Sequence, residues 1–132
     1  MADDEAKEAL CDKEEWSMYF LVNQDLKMSR GKVAAQVGHA TQDMVEVLMK
    51  WHYEGKRRRA NRVKGYMAWK AGGARKIILK APQKVLEGLV EEVDAFPVHD
   101  EGRTEVAPDS LTVVGFLPTK EGKLRFGDFH LV

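Results

Sequence analysis

Alternation of β-favouring apolar runs with segments of helical period predicts an α/β layered fold. Three observations carry that prediction. Met18-Tyr19-Phe20-Leu21-Val22 is a continuous apolar run without alternation, the pattern of a strand covered on both faces. From Lys32 to Trp51 the apolar positions Val33, Val37, Ala40, Met44, Val47, Leu48 and Trp51 fall within about 60° of one direction at roughly 100° per residue, which makes one core-facing helix side. Two further β-favouring runs, Lys76-Ile77-Ile78-Leu79-Lys80 and Leu111 to Leu117, lie on the far side of more helix-like sequence. With 132 residues there is room for one domain, 16–132, preceded by an acidic tail over 1–15.

In chain order, the segment from Asp3 to Glu15 reads as a tail or a short exposed helix, with Ala6 and Leu10 one helical turn apart. The first strand follows, then a polar loop from Asn23 to Ser29, whose last residue is a suitable cap for the long helix. That helix carries a second, polar stripe, Lys32, Gln36, His39 and Asp43, about a quarter-turn from the apolar one, so it should line the rim of the core. Val63 to Lys70 suggests a short helix ended by Ala71-Gly72-Gly73. Pro82 should open a helix with Val85, Leu86, Leu89, Val90 and Val93 on one apolar face. Phe96-Pro97-Val98-His99 reads as a short strand, and Pro97 argues for an edge position. Phe126 to Val132 has room for a last short strand.

The formal net charge of zero conceals a polar layout. Residues 1–15 hold seven acids and two bases, residues 16–81 fourteen bases and four acids, and residues 82–132 five bases and ten acids. Lys56-Arg57-Arg58-Arg59, with Arg62 and Lys64, is the densest basic cluster. Clustered cations gain affinity for polyanions by releasing counterions, although a solvated basic loop is the commoner meaning of such a run. The single cysteine, Cys11, excludes a disulfide framework, and its acidic surroundings do not favour a reactive thiolate. The histidines have no zinc-like spacing, so no metal or cofactor is expected. No apolar run approaches a membrane span, and the acidic start is unlike a signal or transit peptide, so a cytoplasmic protein is expected.

Two loops have the composition of a site. Asp25 to Lys32 sets Lys27, Arg30 and Lys32 around a helix N-terminus, where free amides and the helix dipole favour an anion. Asp100-Glu101-Gly102-Arg103-Thr104 gathers a carboxylate, a guanidinium and a hydroxyl, with Ser110 and Thr112 able to add hydroxyls. Asp100 beside Arg103 is open to two meanings, a general base held ionised or a structural ion pair. His39 is equally open, since a lone histidine on a helix is more often structural; His52, His99 and His130 have no companions that would raise them above that. Neither a Gly-x-Ser-x-Gly elbow nor a nucleotide-binding glycine loop occurs, which disfavours a serine hydrolase or an NTPase.

Lys27-Met28-Ser29-Arg30-Gly31-Lys32-Val33-Ala34-Ala35-Gln36-Val37-Gly38-His39-Ala40 resembles the signature Lys-Met-x-x-Gly-Lys-x-Ala-Ala-Gln-x-x-His-Ala of the archaeal/eukaryotic type of peptidyl-tRNA hydrolase, at every fixed position. The Lys76–Lys80 run, Asp100 to Thr104, Ala107-Pro108 and Ser110 to Gly115 resemble its later motifs in the same order. The resemblance implies a three-layer α/β fold, with a mixed four-stranded sheet and helices on both faces. It implies hydrolysis of the ester between a peptide and tRNA, with peptidyl-tRNA as partner, no cofactor and a possible homodimer. It points to Lys27, His39, Asp100 and Thr104 as catalytic. Arg30, Lys32, Gln36, Arg103 and Ser110 would contact substrate, and Arg57, Arg58 and Arg59 would add cations. In the mechanism this suggests, Lys27 and Lys32 grip the tRNA end while Asp100, oriented by Arg103 and Thr104, activates water; catalysis by positioning without a dedicated base is the alternative.

Four positions depart from the pattern: Asn23 where an arginine is usual, Glu101 for an alanine, Asp109 for a glycine, and a longer segment around Arg57–Arg59. A non-catalytic RNA-binding module on the same scaffold is the rival reading. Glu101 and Asp109 favour it; Lys27, His39, Asp100 and Thr104 oppose it.

Overall fold

The structure is a computed structural model that describes residues 15–55, 57–103 and 105–132, with the Arg58 side chain also outside the described set. Lys56, Thr104 and all but the last residue of the 1–15 tail therefore lie outside the described residues. The elements are β1 (Met18–Asn23), a 3-10 turn (Gln24–Leu26), α1 (Arg30–Glu54), a second 3-10 turn (Arg57–Arg59), α2 (Ala60–Ala71), β2 (Lys76–Ala81), α3 (Gln83–Leu89), β3 (Ala95–His99), β4 (Leu111–Phe116), α4 (Gly122–Phe126) and β5 (His130–Leu131).

One mixed sheet has the order β3-β4-β1-β2-β5. β1 pairs parallel to β2, with Met18 opposite Lys76, and antiparallel to β4, with Leu21 opposite Val114. The continuous apolar character of β1 thus has its cause: it is the middle strand, and all six of its residues are buried. Pro97 lies in β3, the edge strand, where its missing N–H costs no ladder bond on the open side.

The sheet has five strands rather than four. The addition is β5, two residues long, pairing Leu131 with Leu79 and His130 with Lys80 on the outer edge of β2. The short α4 precedes it. The third helix also stops earlier than its apolar period suggests: it ends at Leu89, and Val93 is 70% exposed rather than part of the core.

Alternate strand residues feed two cores. Met18, Phe20 and Val22 of β1 pack with Val37, Ala40, Met44 and Leu48 of α1 and Trp69 of α2. Tyr19 and Leu21 face the other way, onto Leu86 of α3, Val114 and Phe116 of β4 and Phe126 of α4. Each such side chain, fully buried, contributes roughly 1.5–3 kcal/mol. The result is three layers, with α1 and α2 on one face and α3 and α4 on the other. α1 is held at both ends by its caps. The Ser29 side chain accepts the Lys32 N–H at 3.2 Å, and Gly55, in the left-handed region, donates its N–H to the Trp51 and His52 carbonyls.

Candidate active site

The polar stripe of α1 faces the C-terminal end of β3. Lys32, Gln36, His39 and Asp43 form one wall of a cleft of about 490 Å³, and Pro97, Val98, His99, Asp100, Glu101 and Arg103 form the other. The stripe sits beside the core face at helical spacing, which brings it to the sheet edge where the loop after β3 begins.

Asp100 is the centre of this cleft. Its Oδ1 accepts from Lys32 Nζ at 2.7 Å and from Gln36 Nε2 at 3.2 Å, and its Oδ2 accepts from the Gly102 backbone N–H at 2.7 Å. The Lys32 and Asp100 side chains are only 11% and 10% exposed. The Lys32 ammonium bonded to Asp100 holds its carboxyl below the usual carboxylate range, overcoming the opposing effect of burial; the Gly102 N–H and the Gln36 amide act in the same direction as Lys32. Gly102 has a φ of +76°, and a Cβ there would stand 2.5 Å from the Pro108 nitrogen, so only glycine lets this amide turn onto the carboxylate.

Behind Gln36 the polar chain continues into the core. The Thr112 hydroxyl lies 2.7 Å from Gln36 Oε1 and 3.1 Å from the Val98 carbonyl, a donor shared between two acceptors. Gln36 is 2% exposed and Thr112 is fully buried. A hydroxyl proton directed at Oε1 fixes which way the amide points, so that Nε2 faces Asp100. Thr112 is the single polar side chain of an otherwise apolar, fully buried strand, and that contrast is the sequence signal for it.

Other expected residues have other partners or lie elsewhere. Arg103 pairs with Glu101 at 2.8 Å, both largely exposed, so the partner of Asp100 is Lys32, 68 residues away in sequence, instead of nearby Arg103. Glu101, one of the departures, is therefore matched by a cation of its own loop. Ser110 donates to the Ala107 carbonyl at 2.6 Å and lines a separate cleft with Leu26, Gln83 and Glu87. Arg30 lines a third groove, with Val33, Ala34 and Ile77, on the opposite side of α1. Lys27 is exposed, has a left-handed φ of 49°, and is outside the cleft lining.

The start of α1, expected to attract an anion, holds one from the protein itself. Glu105 accepts the Ser29 backbone N–H on Oε2 at 2.8 Å and the Ser29 hydroxyl on Oε1. These two bonds lower its pKa, with nearby Lys32 adding to the effect, and they tie the loop after β3 to the N-cap of α1. Sequence reasoning missed Glu105, because nothing local marks a contact between residues 76 positions apart.

The other departures also have local explanations. Asn23 is buried, donates to the Leu111 carbonyl at 2.9 Å and to Gln83 Oε1, and accepts from the Asp25 N–H, so it joins β1 to β4 and α3. Asp109 has a φ of +62°, the left-handed conformation that favours the glycine usual there and that Asp adopts more readily than most residues.

At the opposite end of α1, Arg57 to Arg59 form the 3-10 turn before α2. Arg59 stacks over the Trp51 ring at 4.8 Å, and Arg62 pairs with Asp94 at 2.7 Å, at the N-terminal end of β3. The helical rise between Lys32 and Trp51 puts this turn roughly 28 Å from the Lys32–Asp100 pair.

The family model described as "Peptidyl-tRNA hydrolase PTH2" matches residues 16–131. The chain belongs to the PTH2 family. It is 34% identical over 115 residues to the human protein named "Peptidyl-tRNA hydrolase 2, mitochondrial", covering 83% of this chain and 59% of that relative, so the chain spans little more than half of the human protein. "Peptidyl-tRNA hydrolase" of Haloquadratum walsbyi is 34% identical over 103 residues, covering 74% of this chain and 80% of the relative. That of Methanococcus maripaludis strain C7 is 33% identical over 110 residues, covering 79% and 86%. The matched span of this PTH2 member includes every strand and helix described above. Among the described residues no group of three or more His, Cys, Asp or Glu side chains could hold a metal ion, and no helix is long and apolar enough to cross a membrane.

Proposed function

We propose that this chain hydrolyses peptidyl-tRNA, cleaving the ester between the peptide carbonyl and the terminal ribose and releasing tRNA for translation, as the names of its relatives suggest. The observation that carries this reading is the largely buried Asp100 carboxylate, held by Lys32, Gln36 and the Gly102 amide at the mouth of a cleft also lined by His39. A carboxylate with three donors stays ionised near neutral pH but is a weak base. Its contribution is to orient water and the Lys32 ammonium more than to store a proton.

Water held against Asp100 adds to the ester carbonyl carbon and passes one proton to the His39 imidazole. Negative charge then develops on the carbonyl oxygen, opposite Lys32. Collapse of the adduct breaks the carbon–oxygen bond to ribose, and His39 on the facing wall supplies the proton for the leaving oxygen. Lys27 and Arg30 hold the tRNA end from outside the cleft and Arg103 from its wall, and Arg57, Arg58 and Arg59 hold phosphates farther along the acceptor arm. Thr104 and Ser110 remain in this proposal as contacts of the loop after β3. The chain works in the cytoplasm, and a homodimer is the assembly that the family resemblance implies.

Incubating the purified protein with an N-acylated aminoacyl-tRNA and measuring free tRNA tests the reading. Turnover should be seen and should be the same with a chelator present. Absence of turnover at any enzyme concentration would overturn the activity, and loss of turnover on chelation would overturn the mechanism.

A further inference from the structure

The turn between α1 and α2 concentrates positive charge. Among the described residues, none of Arg57, Arg59 and Lys64 has an acidic partner within salt-bridge distance. Beside them lies an apolar groove of about 320 Å³ between the two helices, lined by Met49, Tyr53, Tyr66 and Met67 among others. Tyr53 is 81% exposed and Met67 61% exposed, large side chains open to solvent. An occupant suited to this surface is acidic and carries a few apolar side chains.

The chain contains such a segment, and it joins the fold on α2, within reach of this surface. Residues 1–15 hold seven acids and two bases, with Ala6, Ala9 and Leu10 among them. They join the fold at Trp16, whose ring packs on α2: a Cβ at Gly65 would stand 2.9 Å from Trp16 Cζ3. Gly65 is eight residues from Arg57, roughly 12 Å along a helical path. Fourteen residues of extended chain reach up to roughly 45 Å. Distance is no obstacle, and tethering gives the segment an effective concentration on the order of millimolar.

We propose that the acidic segment, residues 3–15, docks on the α1–α2 junction of its own chain, its carboxylates on Arg57, Arg59 and Lys64 and its apolar side chains in the adjoining groove. Docked there it occupies the cations that a nucleic acid would otherwise use, and RNA must displace it. The docking stands independently of any hydrolytic activity; only the competition with RNA rests on the function proposed above.

Cys11, the single cysteine, lies within the segment and accepts a nitroxide label in the full chain. At low salt the label should broaden the backbone amide signals of Trp51, Arg57, Arg59 and Lys64 and leave those around Asp100 sharp. The broadening should disappear at high salt, when exposed charges are screened. It should also disappear when Asp3, Asp4, Glu5, Glu8 and Asp12 are changed to Asn or Gln, a variant whose fold is checked by its other amide signals. Nitroxide-labelled protein of natural isotope content, mixed with ¹⁵N protein that carries no nitroxide, should give no broadening in the latter. Sharp junction signals at low salt would overturn the proposal, and broadening in the mixed sample would show that the occupant is a second copy, overturning it equally. Titration with a short RNA duplex then reads the competition: the neutralised segment should tighten binding several-fold, and an unchanged affinity would remove the competition.

Discussion

At the start of α1 the charges around Asp100 have fixed partners: Lys32 and Asp100 at 2.7 Å, Asp100 and Gly102, Glu105 and Ser29. At its end Arg57, Arg59 and Lys64 have no acidic partner among the described residues, and Arg59 rests on a ring. One helix thus carries a preorganised cluster and, roughly 28 Å away, a loose basic one. The contrast teaches which kind of work each end suits. Stabilising charge that develops at one atom requires groups already aimed at it. Holding a polyanion requires only positive charge nearby, and mobile side chains serve that purpose as well as fixed ones. Mutations at the two ends should therefore separate turnover from binding.

The largest effect is expected at the centre of the cluster. Asp100→Asn keeps the shape but removes the charge that aims Lys32, and should lower kcat roughly 10²-fold or more with little change in tRNA affinity. Equal turnover in variant and wild type would take Asp100 out of the chemistry. A smaller loss is expected one step behind it. Thr112→Val leaves buried Gln36 Oε1 without its donor, which should cost about 1–3 kcal/mol of stability. With the amide no longer held in one orientation, kcat should fall about tenfold while KM stays put. Chemical denaturation and steady-state kinetics on one preparation measure both. A variant that loses stability but keeps kcat would restrict Thr112 to packing.

What could be read beforehand divides along a similar line. The buried run of β1, the two stripes of α1 and the edge position of Pro97 follow from side-chain period and backbone chemistry, which are local properties. The partner of Asp100 was not legible. Arg103 is three residues away, yet the lysine that reaches the carboxylate arrives from another element, because the α1 stripe and the β3 terminus meet only after the sheet forms. Glu105 on Ser29 is a tertiary contact of the same sort. A last short strand within Phe126 to Val132 is expected and is β5, while the four-strand count implied by the resemblance leaves it out; two residues carry no pattern that fixes a partner, and the pairing is decided by the free edge of β2. Val93 continues an apolar period past the point where α3 ends, and period alone cannot mark that end when no glycine or proline follows it directly.

At the loose end the expected effect is on binding alone. Replacing Arg57, Arg58 and Arg59 together with alanine should raise KM for tRNA substrates several-fold and leave kcat nearly intact. Each duplex phosphate contact removed should flatten the dependence of log K on log salt by about 0.9, so variant and wild type should converge as salt rises. An unchanged KM and slope would assign tRNA binding to the loop from Lys27 to Lys32 instead.

The smallest expected effect concerns the clasp between Glu105 and Ser29, and it sharpens the comparison through pH. The hydrogen bonds from Ser29 lower the pKa of Glu105, so the folded chain holds its carboxylate ionised to lower pH than the unfolded chain does. A lowered folded pKa contributes stability that is fully present above the ordinary carboxylate range and is lost as pH falls through the folded value. Glu105→Gln removes the charge while keeping the side chain's size. At pH 7 its denaturation midpoint should lie below that of wild type, and the gap should close as the solution is acidified, because a protonated Glu105 is nearly the equal of glutamine. A gap for Glu105→Gln that persists unchanged into acid would mean that shape rather than charge joins the loop after β3 to α1. The fixed-charge account of this end would then rest on Lys32 and Asp100 alone.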